Sequence, residues 1–223
     1  MKKLFFVLAV LMLSVTATQA QGVYFPSEEG LIMEYANKNA SDKVTGYIAY
    51  KFQTIERQDD LNFSAKYLVV MMDKDRKEKS TPIEATVKVV NGTVYFDALS
   101  AFGDAASALS QISESIVVEG KGLIIPADAT AGQKFDNAHV TIGSIASSEC
   151  SNITLTAFES LTTEAGTFET ARVDMDTSAK VLIIKSQGKS TQWYTKGIGV
   201  VKTVNYNKNG KATSSMELVK ISR

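Results

Sequence analysis

The chain has 223 residues, with 24 Lys plus Arg against 24 Asp plus Glu, one His and one Cys. That balance offers no basic excess to a nucleic-acid backbone, and one cysteine excludes an internal disulfide even in an oxidising compartment. The length is ample for a single core, so stability has to come from packing and from backbone hydrogen bonding.

Lys2 and Lys3 precede an apolar run from Leu4 to Val15, and Thr18-Gln19-Ala20 supplies small residues at the −3 and −1 positions of a cleavage site. This pattern predicts a secretory signal peptide over residues 1–20 and one β-rich domain over residues 21–223. The apolar run is shorter than the roughly 20 residues of a membrane-spanning helix. No cysteine follows the cleavage site to carry a lipid. The mature chain is therefore expected to be exported and soluble, periplasmic or extracellular, with no transmembrane segment. Without Lys2 and Lys3 it has 22 cationic residues against 24 acidic ones, a net charge of about −2.

Tyr24 and Phe25 sit in a short lead-in and are expected to pin the amino terminus to the domain. Strands are predicted at Leu31 to Ala36, Thr45 to Gln58 and Leu61 to Asp73, with turns at Asn37 to Lys43 and at Arg57 to Asp60. The run Leu68 to Met72 is apolar on both faces and needs cover on both sides. Asp73 to Glu78 is superficially like a calcium loop but lacks its central glycine and distal glutamate, and reads as a hairpin tip. Ile83 to Val90, Asn91-Gly92 and Thr93 to Phe96 form the clearest hairpin.

Between Asp97 and Glu114 the apolar period changes. Leu99, Phe102, Ala106, Leu109 and Ile112 recur at helical spacing and predict a helix that covers the sheet. Beyond it, Ser115 to Val118, Leu123 to Ile125, Phe135 to Ala146 and Glu149 to Ser160 read as strands. So do Thr167 to Met175, Ala179 to Ser186, Thr191 to Tyr194, Gly199 to Asn205 and Thr213 to Ile221. The expected architecture is mainly β: a single curved antiparallel sheet or half-open β-barrel with one helical insertion on its concave face.

Chemistry has few candidates. His139 has no second histidine or cysteine at ligand spacing. No serine has the setting of a nucleophile elbow, and Ser186 and Lys189 stand either side of Gly188 where a turn, not a helix start, is expected. Asp174 and Asp176 share a strand face and read as an exposed acidic pair rather than a cation site. Cys150 enters an apolar strand with no basic neighbour, which suits core packing better than a reactive thiol. No cofactor and no metal are expected.

Three carboxy-terminal segments carry a resemblance. They contain Glu159, Thr162, Thr163, Ala165, Gly166, Thr167 and Phe168, then Trp193, Tyr194, Gly197, Gly199, Val201 and Lys202, then Asn207, Gly210 and Lys211. In these residues the chain resembles the TapB-like secreted bacterial proteins, a domain of unknown function. Glu164 and Ile198 stand where that family usually has proline and valine. The resemblance brings no active site and implies a noncatalytic protein of the cell envelope. Its partner is expected to be an apolar small molecule held by Leu99, Phe102, Leu109, Ile112, Trp193 and Tyr194, or another envelope protein. The alternatives are a purely structural or interaction module and, less favoured, a hydrolase.

Overall fold

The computed structural model describes residues 22–96, 118–142 and 146–223. Their strands are β1 (Ile32–Asn39), β2 (Val44–Asp59), β3 (Asn62–Met72), β4 (Ile83–Val90), β5 (Thr93–Phe96), β6 (Val118–Lys121) and β7 (Ile124–Ile125). They continue as β8 (Ala138–Ile142), β9 (Ala146–Thr163), β10 (Gly166–Val181), β11 (Ile184–Thr195), β12 (Gly199–Asn207) and β13 (Ala212–Ser222). All belong to one antiparallel sheet in the order β6-β8-β9-β10-β11-β12-β13-β1-β2-β3-β4-β5-β7.

Two meanders are therefore joined at the middle of the sheet, where β13 pairs with β1 from Ile32↔Ser222 to Asn39↔Ser214. Among the described residues the edges are β6 and β7, of four and two residues, too short to template pairing with another chain. Only Gly122 and Leu123 separate them, so Lys121 and Ile124 cannot be more than about 11 Å apart. Among the described residues no hydrogen-bonded pairing closes the sheet, yet its two edges lie close together at one end.

Alternation decides the inner face. In β4, Ala85, Val87 and Val89 are buried between less buried Glu84, Thr86 and Lys88. Registers extend this face across the sheet, through Met33–Tyr50–Val69 and Tyr35–Ile48–Met71. A first core gathers the inner residues of β1 to β5 with Val201 and Leu218, and the β9–β10 hairpin adds Leu161, Ala165 and Phe168. A second core joins Ile125 and Ala138 to Ile153, Leu155, Ala171, Val173, Met175 and Tyr194.

The expected architecture needs correction. Among the described residues there is no helix, and the sheet remains open. The predicted helical insertion on Leu99, Phe102, Leu109 and Ile112 falls on residues 97–117, outside the described residues. Among the described residues two other parts of the chain cover the sheet. On the inner face the lead-in Val23-Tyr24-Phe25 is buried, Val23 and Phe25 in the first core and Tyr24 in the second. It is tied down by the Gly197 N–H, which donates to the Val23 carbonyl at 2.7 Å.

On the outer face the loop after β3 folds back over the doubly apolar run. The Arg76 guanidinium lies 4.1 Å from the Tyr47 ring centroid and donates to Glu34 at 2.7 Å. It thus spans the rows that hold buried Ala36, Ala49 and Val70.

The strand boundaries expected at the second meander also change. Val181 pairs with Ile184, so Leu182-Ile183 is a two-residue turn where an uninterrupted strand was expected. Ser186 to Lys189, expected as a turn, lies within β11.

Candidate functional site

Between the two cores the concave face leaves a cavity of about 510 Å³. One wall is aromatic and comes from β1, β2 and β3. Tyr35 and Tyr50 meet edge to face at 5.2 Å between centroids, Tyr50 and Tyr67 at 5.8 Å, and Phe52 stacks on Tyr67 at 5.3 Å. Phe25 closes this row from the lead-in, 5.6 Å from Phe52. Such offset and edge contacts are the arrangements that aromatic rings prefer.

The opposite wall comes from β8 to β11 and the floor from β12 and β13. These elements present small neutral polar groups: Ser148, Thr177, Ser190, Gln192, Thr203 and Asn205, with Met175 and Met216 among them. Ser190 Oγ donates to Asn205 Oδ1 at 3.0 Å. Among the described residues of the lining Lys38 is the single charged one, and its ammonium is held by Glu217 at 3.5 Å and by Asp42 at 3.7 Å. A space so lined can receive an uncharged or mainly apolar molecule at little electrostatic cost.

Trp193 and Tyr194 are neighbours on β11 and point to opposite faces, as strand geometry requires. Tyr194 lines the cavity, is 1% exposed, and donates its hydroxyl hydrogen to Gln192 Oε1. Burial first, then Cys150 and Tyr50, pushes its phenol well above the ordinary value. Tyr35 behaves likewise. Its hydroxyl donates to the Val200 carbonyl at 2.7 Å, and burial, followed by Tyr50, Tyr67 and Tyr194, raises its pKa well above the usual range. Trp193 is not part of the cavity lining. Its Nε1–H donates to Glu159 Oε1, and the Arg172 guanidinium lies 5.8 Å from its ring. The other four expected ligand contacts, Leu99, Phe102, Leu109 and Ile112, are outside the described residues.

Alternation also scatters the candidates for chemistry. Ala138 and Thr177 both pair with Cys150, and all three line the cavity. His139 pairs with Glu149 and Asp176 with Ser151, one step along each strand, so both are on the other face, with Asp174. Asp174 accepts hydrogen bonds from Thr191 at 2.6 Å, Thr156 at 2.9 Å and Arg172 at 3.3 Å. Asp176 accepts from Asn152 at 2.7 Å and pairs with Lys189 at 3.2 Å, contacts that hold its carboxyl below the usual range. Burial, with Glu149 second, raises the Cys150 thiol. Among the described residues no three His, Cys, Asp or Glu side chains form a metal-binding group.

The sequence reading missed the hydroxyl wall. Ser148, Thr177 and Ser190 have polar neighbours on both sides and Thr203 follows Lys202, so all four look like solvent-facing positions. The signal that could have marked them is their company: Ser148, Thr177 and Ser190 share their strands with buried residues of the same face, Leu155, Met175 and Tyr194.

No curated protein matches the chain in sequence. Two solved structures are similar in fold. One is a protein assigned as exported, with a YmcC-like fold, from Bacteroides fragilis, at 17% identity, TM-score 0.75, with 91% of this chain and 100% of that chain covered. The other is a protein assigned as a lipoprotein from Parabacteroides distasonis, at 17% identity, TM-score 0.74, with 90% and 99% covered. A family model described as DUF3108-like matches residues 28–218, which is nearly the whole described sheet. By that match this chain belongs to the DUF3108-like family.

Proposed function

We propose that this chain is a noncatalytic exported protein of the cell envelope whose concave cavity holds an apolar, lipid-like ligand. The observation that carries the proposal is a space of about 510 Å³ between an aromatic wall and a neutral hydroxyl wall. The volume is within the roughly 300–1,000 Å³ of small-molecule sites. An acyl or isoprenoid chain would lie against Tyr35, Tyr50, Tyr67 and Tyr194, with Met175 and Met216 adapting to its shape.

Export is supported by the leader-like sequence of residues 1–20 and by the descriptions of the two similar structures as an exported protein and a lipoprotein. The segments that resemble TapB-like proteins serve in this reading as turns and anchors: Gly166, Gly197, Gly199 and Gly210 all have positive φ. The absence of catalysis is supported by the dispersal of Cys150, His139, Asp174 and Asp176 over the two faces of the sheet.

The test is organic extraction of protein purified from its own host, read by mass spectrometry, together with titration of a fluorescent fatty-acid analogue. The expected result is a stoichiometric co-purified lipid, or saturable probe binding by the emptied protein. If no lipid is released and the probe does not bind, the ligand is ruled out and a purely structural or protein-interaction module is the better account.

A further inference from the structure

We infer that the β10–β11 hairpin tip is a docking element for the surface of an anionic lipid bilayer. The tip reads Lys180-Val181-Leu182-Ile183-Ile184-Lys185. Leu182 is 62% exposed, Ile183 92% and Ile184 72%, the most exposed large apolar residues among the described residues. They occur consecutively at the end of two long strands, which presents them together.

The turn breaks two local rules at once. Leu182 has φ of 55° at the first position of a two-residue loop, where a hairpin ordinarily takes glycine and a bulky side chain is unfavourable. Lys180 and Lys185 are directly opposed across the two strands, an arrangement of like charges that repels. Neither lysine has an acidic ion-pair partner among the described residues. In water alone each feature is a cost.

A negatively charged lipid surface offsets the lysine repulsion and buries the leucine that stands where glycine would be less strained. Leucine and isoleucine enter the boundary between headgroups and acyl chains, and the two ammonium groups one step behind them meet the lipid phosphates. A protein partner fits less well, because three side chains on one turn present much less than the roughly 800 Å² per partner of a stable protein interface. The tip lies outside the cavity lining, so the inference stands or falls independently of the bound ligand.

Co-sedimentation of the purified protein with vesicles tests it. One set is phosphatidylcholine alone, the other an equal mixture of phosphatidylcholine and phosphatidylglycerol, both at low salt. Binding is expected to the mixed vesicles and to be much weaker on phosphatidylcholine. The double variant Leu182→Gly with Ile183→Asn supplies the residues that this turn ordinarily takes, so it should keep or raise the melting temperature while binding falls about tenfold or more. Lys180→Gln and Lys185→Gln should each weaken binding to the mixed vesicles by about fivefold.

Absence of wild-type binding, or unchanged binding by the double variant, overturns the inference. So does concentration-dependent self-association of the wild-type protein that the double variant abolishes, since that would make the tip a contact between copies of the chain.

Discussion

At the scale of single residues, Tyr35 shows how a polar group is made part of an apolar wall. Its ring packs against Tyr50 and its hydroxyl donates to the Val200 carbonyl, so β1 is tied to β12 across β13 without an unsatisfied buried oxygen. Removing only that oxygen, in Tyr35→Phe, should cost about 1–2 kcal/mol in urea unfolding. The variant should also change the alkaline limit of stability. Burial raises the phenol pKa in the folded state, so the unfolded chain loses its proton first; the stabilisation is whole below the free phenol value of about 10 and is lost as pH rises above it. Tyr35→Phe should flatten that alkaline decline, which chemical unfolding followed from neutral to strongly alkaline pH will show.

Trp193 and Tyr194 were both expected to hold the ligand, although neighbours on one strand point to opposite faces and only Tyr194 lines the cavity. Nothing in the two residue types says which face holds the cavity. That depends on the register of β11 against β10 and β12, a long-range property that local sequence does not encode.

At the scale of elements, turn chemistry separates what could be read from what could not. Three loops share one design. Asn39, Asp73 and Asn207 each accept, on one side-chain oxygen, the N–H groups two and four residues on, and each is followed at its third residue onward by positive φ: Asp42 at 59°, Arg76 at 62° and Gly210 at 76°. These are Asx turns closing hairpins, which gives the Asp73 loop a structural role in place of the calcium motif that it superficially resembles. The Ile83 to Phe96 hairpin was equally legible from Asn91-Gly92, and its strands begin and end where the alternation does.

The β10–β11 turn was missed because Leu182-Ile183 has no such chemistry and continues an apolar run. The helix expected from Leu99 to Ile112 rested on period alone and falls outside the described residues.

Two glycines give an ordering that tests the turn assignments. Gly92 and Gly210 have nearly the same φ, 74° and 76°. A Cβ on Gly210 would meet nothing within 4 Å, whereas one on Gly92 would lie 2.7 Å from the Ala127 Cβ. Gly210→Ala should therefore cost only the conformational term, about 1–2 kcal/mol, and Gly92→Ala distinctly more. Equal losses in thermal unfolding would contradict the packing of Ala127 on that turn.

At the scale of the whole molecule, the sheet is organised by the segments that fill it. Phe25 is 7% exposed and contacts Phe52 and Tyr67, and its neighbours Val23 and Tyr24 reach both cores. The lead-in thus holds the two meanders together, although in the sequence it looked only like a tether for the amino terminus. Phe25→Ala should destabilise by about 3–5 kcal/mol, the range for deleting a buried aromatic ring, and should lower the urea midpoint with no separate early transition for either meander. Two resolved transitions would mean that the halves are stabilised independently of it.

Occupancy of the space beside Tyr194 by an apolar ligand can be read chemically. Cys150 is the chain's one thiol and lines that space, so its rate of modification reports occupancy directly. Burial raises its pKa, and the thiolate is the reactive form. Modification by a thiol reagent should accordingly be slower than that of a free cysteine at neutral pH and rise as the pH increases. Adding a long-chain fatty acid until it saturates the protein should then slow the reaction at least about tenfold, as expected of a filled pocket that buries most of its ligand and lining. An unchanged rate at saturation would place the ligand elsewhere and contradict the account.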